Sequence, residues 1–141
     1  MADCIFCQMI AGERRPHTVY EDAHVLAFLD IHPASRGHTL VIPRIHAERL
    51  DLLEDPHVGW LFTGVKAVMA RLEIALKPAG LNVGWNHGWA AGQRVNHLHI
   101  HVIPRYPGDG GGGIQSLIHS FVTEDLNSVA AQIRATAGTT G

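Results

Sequence analysis

Three histidines alternate with aliphatic residues in one short segment of the chain. The segment reads His97-Leu98-His99-Ile100-His101, and Val102 continues the alternation. Successive side chains of a β-strand point to opposite faces, so the imidazoles would share one face and the aliphatic side chains the other. An imidazole changes charge near neutral pH, binds metals and can attack an electrophile such as phosphorus. The segment therefore predicts a row of reactive groups along one exposed groove.

This row of histidines has two other interpretations. One is a polar strand face that merely happens to use histidine. The other is a single metal ion held by all three rings. Four strand steps of about 3.3 Å would put the Cα atoms of His97 and His101 about 13 Å apart, which is awkward for ligands that must approach one zinc ion to about 2.0–2.1 Å. The spacing favours groups with different tasks.

The segments that must position these histidines indicate a small α+β domain. Runs rich in β-forming residues predict five strands, over residues 17–20, 24–29, 38–42, 81–85 and 97–103. The first three should form an antiparallel meander, because their connections are too short for a parallel crossover. Apolar residues between positions 57 and 76 recur at steps of three and four, which predicts a long helix packed on one face of the sheet. Shorter helices are predicted over residues 4–11 and 124–135.

Length and composition limit the classes of function. A chain of 141 residues, 46% hydrophobic and 17% charged, fits one globular domain over residues 1–141, with a glycine-rich loop and a tail after residue 106. A formal net charge of −2 makes nucleic acid a poor candidate partner. No apolar run approaches the roughly 20 residues of a membrane span, and no secretory signal pattern begins the sequence. We therefore expect no membrane partner and a cytoplasmic location.

Cys4 and Cys7 are the two cysteines of the chain, and they have the spacing of half a zinc site. Without a secretory signal, metal binding or plain burial is favoured over a disulfide. A tetrahedral structural site needs two further ligands, which this spacing alone does not identify.

Several motifs stand together in the order of a known family. They are the histidine segment after Gly92-Gln93-Arg94-Val95-Asn96, Cys4-Ile5-Phe6-Cys7, Glu21-Asp22 before Leu26-Ala27-Phe28-Leu29-Asp30, and Gly37-His38-Thr39-Leu40-Val41-Ile42-Pro43. From about residue 3 to residue 105, the pattern resembles the histidine-triad (HIT) nucleotide-binding family, in particular its zinc-bearing Hint-like branch. The resemblance implies a homodimer in which two five-stranded antiparallel sheets join into one ten-stranded sheet.

The resemblance also implies an activity. Members cleave a nucleoside 5′-phosphate, here expected to be a purine nucleotide of the AMP type, from an amine or a phosphate leaving group. The middle histidine, His99, would be the nucleophile, because a nucleotidyl-histidine divides one hard displacement into two easier ones. His101, Gln93 and the main-chain amides near Gly92 and Val95 would stabilise charge on the phosphate. Both the phosphoramidase and the dinucleoside polyphosphate hydrolase types stay open.

The remaining substrate contacts come from the same resemblance. Asp30 would bind the ribose hydroxyls, although it could equally cap the loop that follows it. Asn86 would lie near the phosphate. Arg94 replaces a small hydroxyl residue of one branch, and it could clamp phosphate or point to solvent. The apolar residues expected around the base, each of which could instead belong to the core, are Ile5, Phe6, Met9, Phe28 and Ile31.

For zinc, the resemblance adds His46 and His97 to the two cysteines. The ion would tie the N-terminal segment to the histidine strand and leave His99 and His101 free for phosphate. The alternative to a zinc site is a pair of reduced, partly buried thiols.

The alternative to an enzyme is a non-catalytic, zinc-stabilised nucleotide-binding module. His38 is a candidate support for the triad, and the histidines interpreted as surface or packing residues are His17, His24, His32, His57, His87 and His119.

Overall fold

The computed structural model of the protein describes residues 3–136. These residues fall into two compact units, one ending at Gly111 and the other beginning at Gly112. The first unit contains the sheet and all of the predicted site residues. The second contains a short 3-10 turn, Ile114–Leu117, and a helix. The interpretation of residues 1–141 as one domain stays a prediction.

The first unit is built on a five-stranded antiparallel sheet, as the sequence predicts. Its strands have the order β1-β2-β3-β5-β4, so the first three form the expected meander. They are β1 (Thr18–Glu21), β2 (Val25–Leu29), β3 (Thr39–Pro43), β4 (Gly80–Gly84) and β5 (Ile100–Arg105). The last strand begins three residues later than predicted, because its pairing with β3 starts at Ile100. His97 and His99 therefore lie on the approach to the strand, and His101 lies within it.

The described residues form three α-helices, α1 (Ile5–Ile10), α2 (Asp55–Leu76) and, in the second unit, α3 (Leu126–Arg134). The long helix α2 carries Pro56 in its first turn, where a missing N–H costs nothing. It ends at Leu76, because Lys77 adopts a left-handed conformation with φ of 49° and Pro78 follows. Among the described helices, none is long and apolar enough to cross a membrane.

The two faces of the sheet pack against different helices. The face under α2 forms the larger core cluster, which includes Val25, Ala27, Val41, Leu61, Val65, Val68, Leu98, Ile100 and Val102. The second cluster contains Phe6 of α1 with Leu26, Phe28, Leu40 and Ile42. Burial alternates along β5, with Ile100 and Val102 buried and His101 partly exposed. The aliphatic half of the predicted alternation thus holds the segment under α2, which turns His101 to the opposite face.

Two glycines of α2 provide a test of this packing. A Cβ at Gly64 would lie 2.7 Å from Cγ2 of Val25, whereas a Cβ at Gly59 meets nothing within 4 Å. We expect Gly64→Ala to lower the free energy of unfolding by about 1–3 kcal/mol, because the helix and β2 are in direct contact there. Gly59→Ala, the matched control, should raise it by about 1 kcal/mol through helix propensity alone. Urea denaturation measures both, and equal effects of the two substitutions would contradict this packing.

Candidate active site

A cleft of about 590 Å³ opens on the sheet face opposite α2. It brings together twelve of the residues expected around a nucleotide: Ile5, Phe6, Met9, Phe28, Asp30, Ile31, Asn86, Gly92, Arg94, Val95, His99 and His101. These residues come from α1, the end of β2, the loop before β5 and β5 itself. The fold therefore gathers them into one place from distant parts of the chain.

The cleft also contains residues that the sequence reasoning missed. Arg15, Pro16, His17, Leu29, His32 and Leu40 line it as well. His17 and His32 were expected to be surface or packing residues, and both are exposed, but they stand at the cleft. Its position two residues after Asp30 was the one available signal for His32. No motif marks Arg15 or His17, and the pairing of β1 beside β2 brings them there, with the amide of Leu29 donating to the carbonyl of His17.

The apolar part of the cleft has a buried floor and an exposed rim. Phe6 and Phe28 are each 3% exposed, and their rings meet edge to face with centroids 5.4 Å apart. The Phe6 ring also packs edge to face with the ring of His99, with centroids 5.3 Å apart. Ile5 and Ile31, by contrast, are 38% and 75% exposed. The two phenylalanines therefore belong to the core and also line the cleft, where a flat apolar group could pack against them.

One nitrogen of His99 is fixed by the main chain. Nδ1–H donates to the carbonyl of His97 at 2.8 Å, so a neutral ring keeps its lone pair on Nε2. Burial lowers the pKa of His99, against the opposing effects of this bond and of Asp30. The ring is therefore uncharged at neutral pH, with an unprotonated nitrogen available at the cleft.

The ring of His101 contacts another histidine rather than the main chain. Its Nδ1 lies 2.9 Å from Nε2 of His38. Its Nε2 is buried and has no hydrogen-bond partner among the described residues. Burial, reinforced by the neighbouring rings of His99 and His38, lowers the pKa of His101 to about 4. Since a buried polar atom without a partner costs about 1–3 kcal/mol, this nitrogen would gain from a hydrogen bond to a ligand.

The polar residues at the ribose and phosphate positions are held by neighbouring loops. Asp30 accepts a hydrogen bond from the amide of His32 through Oδ1, at 2.8 Å, and its Oδ2 lies 3.7 Å from Nε2 of His38. The Asn86 side chain rests 3.5 Å from where a Cβ on Gly92 would be. Gly92 has φ of +109°, so both its conformation and this contact favour glycine.

Arg94 is exposed and stacked on a neighbour. Its guanidinium lies 4.0 Å from the centroid of the Trp89 ring, and Nη1 donates to the Trp89 carbonyl at 3.1 Å. The side chain therefore lines the cleft, and some of its five donor hydrogens are free. Both interpretations of Arg94, a phosphate clamp and a solvent-facing residue, fit this geometry.

Gln93 is 5% exposed and does not line the cleft. Its amide nitrogen donates to the carbonyls of Glu48 and Val95, at 2.7 and 3.0 Å, and its amide oxygen accepts from the amide of Gly88. The expectation that Gln93 donates to phosphate does not match this structure, because both amide hydrogens already bind main-chain carbonyls. Gln93 instead fixes the shape of the loop that carries Gly92 and Arg94.

His97 corrects the expectation that three imidazoles line one groove. Its ring is fully buried and lies outside the cleft, and Nε2–H donates to the carbonyl of Pro43 at 2.9 Å. Its Nδ1 is left unprotonated and faces the cysteines, 3.3 Å from Sγ of Cys4 and 3.6 Å from Sγ of Cys7. The groove thus contains two of the three histidines.

The donor atoms of Cys4, Cys7, His46 and His97 all lie within 4.8 Å of one another. Nδ1 of His46 is 3.3 Å from Sγ of Cys7. Around a tetrahedral zinc, with bonds of about 2.3 Å to sulfur and 2.0–2.1 Å to nitrogen, sulfur and nitrogen ligands stand about 3.5 Å apart. The hydrogen bond from His97 to Pro43 is the outer-shell contact that metal-binding histidines usually make. The four residues form a cluster that fits a metal ion.

Comparisons with known proteins agree with this geometry. The family model described as HIT domain matches residues 11–108. The chain is similar to a solved HIT family protein from Bacillus subtilis, with 39% identity and a TM-score of 0.84 over 97% of this chain and 99% of that one. Adenosine 5′-monophosphoramidase of Schizosaccharomyces pombe is 35% identical, covering 92% of this chain and 95% of the relative. Adenylylsulfatase of Arabidopsis thaliana is 38% identical, and the match covers 73% of this chain and 52% of the relative.

Burial of His101 should make stability depend on pH. The folded ring has a pKa near 4 and an exposed ring one near 6.5, so between these values the unfolded chain binds more protons. The free energy of unfolding should therefore fall as the pH is lowered from 6.5 to 4, by up to about 3 kcal/mol from this ring. Urea denaturation across this range should show a shallower fall in His101→Gln. Parallel profiles for the two proteins would contradict the buried, neutral state.

Proposed function

This chain belongs to the HIT family of nucleotide hydrolases, and we propose that it cleaves a purine nucleoside 5′-phosphate of the AMP type from an amine or a phosphate through a nucleotidyl-histidine on His99. The observation that carries the proposal is the hydrogen bond from Nδ1 of His99 to the His97 carbonyl. It leaves Nε2 unprotonated in a ring that lines the cleft. An attacking nitrogen needs that free lone pair.

The reaction would have two steps. In the first, Nε2 of His99 attacks phosphorus, a phosphorus–nitrogen bond forms, and the bond to the leaving group breaks. The leaving amine or phosphate takes up a proton from solvent. In the second, water attacks the phosphorus and gives up a proton to solvent, the bond to His99 breaks, and the nucleoside monophosphate is released with the ring neutral again. The ring of His101, beside that of His99 at a centroid distance of 5.3 Å, would stabilise the charge that gathers on the phosphate oxygens.

The nucleoside would lie along the apolar part of the cleft. The buried rings of Phe6 and Phe28 would support the base, with Met9 and the exposed Ile5 and Ile31 around its edge. The carboxylate of Asp30 would accept from the ribose hydroxyls through its Oδ2, which the described main chain leaves unbonded. Asn86 and the amides near Gly92 and Val95 would approach the phosphate.

An amine is the leaving group we favour first. The named activity of the yeast relative, a phosphoramidase of adenosine 5′-monophosphate, supports an amine, and that relative spans nearly the whole chain. The plant relative, named for an adenylyl sulfate, supports the same nucleotide with an oxygen leaving group. Arg94 at the cleft would favour an anionic leaving group if it turns inward.

The covalent step can be tested with an adenosine phosphoramidate and a diadenosine polyphosphate as substrates. Quenching in alkali and measuring the intact mass should reveal a nucleotidyl adduct on the wild-type protein. His99→Ala should form none and lose at least about a thousandfold in turnover, because the attacking atom is gone. His87→Ala, a substitution of an exposed histidine outside the cleft, is the control and should behave as the wild type.

Two results would count against this function. An adduct that persists in His99→Ala would place the nucleophile elsewhere. A wild-type protein that binds adenosine nucleotides yet turns over neither substrate would favour the alternative, a non-catalytic nucleotide-binding module.

We propose in addition that Cys4, Cys7, His46 and His97 hold a structural zinc ion. The separations of their donor atoms and the unprotonated Nδ1 of His97 support this set. A bound zinc would supply a cross-link between the N-terminal segment and the approach to β5, without an open position for catalysis. His99 and His101 are then left for the nucleotide.

Substitution of one thiol tests the metal. Wild-type protein purified in metal-free buffer should contain about one zinc per chain by elemental analysis, and chelation should lower its melting temperature. Cys7→Ala should contain less than about a tenth of that zinc, and chelation should no longer change its melting temperature. His119→Ala, at an exposed histidine of the second unit, should keep the metal. Zinc well below one equivalent in the wild type would end this proposal.

We propose further that the protein forms a homodimer. β4 lies at one edge of the sheet, so the outer main-chain groups of Gly80–Gly84 have no neighbouring strand within the described chain. The opposite edge, β1, is short, has a register irregularity and is approached by Arg71, which donates to the Val19 carbonyl. An open edge favours pairing with another strand, and two β4 strands would join two sheets into one of ten strands. The cytoplasmic location stays a prediction.

A further inference from the structure

The three tryptophans of the chain differ in how they pack. The ring of Trp60 is stacked on that of His24 at a centroid distance of 3.9 Å, and Trp85 packs edge to face against Phe62 at 5.6 Å. Trp89 is 73% exposed, against 40% and 38% for the other two. Single exposed apolar residues are common on protein surfaces, so the surroundings of Trp89 must show whether its exposure has a use.

A turn closed by hydrogen bonds carries Trp89. The turn Trp89–Ala91 follows Gly88, whose φ of +92° favours glycine. The Gly88 carbonyl accepts from the amides of Ala91 and Gln93, at 3.1 Å each, and the Gly88 amide donates to the side-chain oxygen of the buried Gln93 at 2.9 Å. The backbone of Trp89 is therefore held in place before any ligand arrives, which lowers the ordering cost of binding on its ring.

Arg94 connects Trp89 to the cleft. The guanidinium of Arg94 lies 4.0 Å from the centroid of the Trp89 ring, and its Nη1 donates to the Trp89 carbonyl at 3.1 Å. Arg94 lines the cleft, whereas Trp89 lies behind it and does not. The guanidinium covers one face of the ring, and the exposed surface of the ring includes the other face. The cleft is thus followed by a cation and then by an open aromatic surface.

This pair lies apart from the floor that we assign to the nucleoside. Phe6 and Phe28 of that floor come from α1 and β2. Arg94 and Trp89 belong instead to the loop between β4 and β5, whose amides near Gly92 we place at the phosphate. A group bound to phosphorus on the side away from the nucleoside would therefore pass Arg94 first and reach Trp89 second.

We propose that Trp89 is a specificity-determining residue for the leaving group, which stacks a flat aromatic ring on its open face while Arg94 binds an anionic group between that ring and phosphorus. The inference rests on the proposed function for the place of the phosphate. Two kinds of leaving group have this chemistry: a second nucleotide, as in a dinucleoside polyphosphate, and an aromatic amino acid joined through its amine. With either, the bond to phosphorus breaks as His99 attacks, and the leaving group keeps the electron pair and takes a proton from solvent.

Two other roles for Trp89 predict different results. If the ring only supported Arg94, its loss would slow all anionic leaving groups by the same factor, with or without an aromatic ring. If the ring held the base of the nucleoside that His99 retains, its loss would weaken the binding of AMP itself. Stacking of the leaving group alone predicts an effect confined to substrates with a distal ring.

The experiment uses two pairs of substrates whose members differ by a ring-bearing group on the leaving group. When His99 attacks the α-phosphorus, diadenosine triphosphate releases ADP and ATP releases pyrophosphate, so this pair differs by one adenosine. The adenosine phosphoramidates of phenylalanine and alanine differ by one phenyl ring. In the wild type, kcat/KM should be about tenfold higher for the ring-bearing member of at least one pair, as stacking on an aromatic side chain predicts. The pair that shows the preference identifies the kind of leaving group.

Substitutions then assign the preference to one side chain. Trp89→Ala should reduce it to less than about twofold, through the ring-bearing member, and Trp89→Phe, which retains a flat ring, should keep most of it. Arg94→Gln should slow both members of the pair by a similar factor, because both have the anionic group. Trp60→Ala, on α2 and outside the cleft, is the control and should keep the preference of the wild type.

Each outcome of the comparison decides the proposal. It is overturned if the wild type prefers the ring-bearing member of neither pair, if Trp89→Ala keeps the preference, or if Trp89→Ala slows both members equally or weakens AMP binding to the same extent. If the wild type turns over none of the four substrates, the proposed function fails, and calorimetry decides the stacking. One ring-bearing member should then bind the wild type about tenfold more tightly than its partner, and Trp89→Ala should bind the two alike.

Discussion

A neutral imidazole carries one proton, and in this protein main-chain groups decide which nitrogen holds it. The carbonyl of Pro43 keeps the proton of His97 on Nε2, and the carbonyl of His97 keeps that of His99 on Nδ1. The amide of Ala34 donates to Nδ1 of His38, whose Nε2 lies 2.9 Å from Nδ1 of His101. Three rings of the same chemical type, spaced two residues apart, therefore present different atoms to their surroundings. The proposed roles of metal ligand, nucleophile and donor all depend on this constraint.

Strand pairing maintains the position of His101, the one histidine of the three that lies within β5. Antiparallel pairing of β3 with β5 sets Leu40 opposite His101 and Val41 opposite Ile100. The aliphatic side chains of β5 are buried under α2, so a slip of one residue would expose them and reverse the faces. The hydrophobic core thus fixes the register, and the register brings His38 within hydrogen-bond distance of His101.

The cleft and the cysteine cluster share a wall at Phe6. Its ring centroid lies 5.8 Å from that of His97 and 5.3 Å from that of His99. α1, which carries Phe6 and Cys7, is only six residues long, and helices of that length have little stability of their own. Contacts with the cluster and the sheet therefore have to hold α1 in place. A metal in the cluster would add a cross-link at the same point.

The sequence alone determined the parts of this protein that depend on local periodicity and on composition. Alternation predicted the orientation of His99 and His101, steps of three and four predicted α2, and the C-x-x-C spacing predicted half of the cysteine cluster. Recognisable motifs supplied most of the cleft, including Asp30 and Asn86. Only the tertiary structure decided that His97 is buried, that Gln93 is bound to main-chain carbonyls, and that Arg15 and His17 reach the cleft. The physical reason is that a side chain's orientation follows from its own backbone, whereas a hydrogen-bond partner can come from a segment tens of residues away. The proton on His97 is of the second kind, because it is bound by the Pro43 carbonyl, while that on His99 is set locally by the His97 carbonyl.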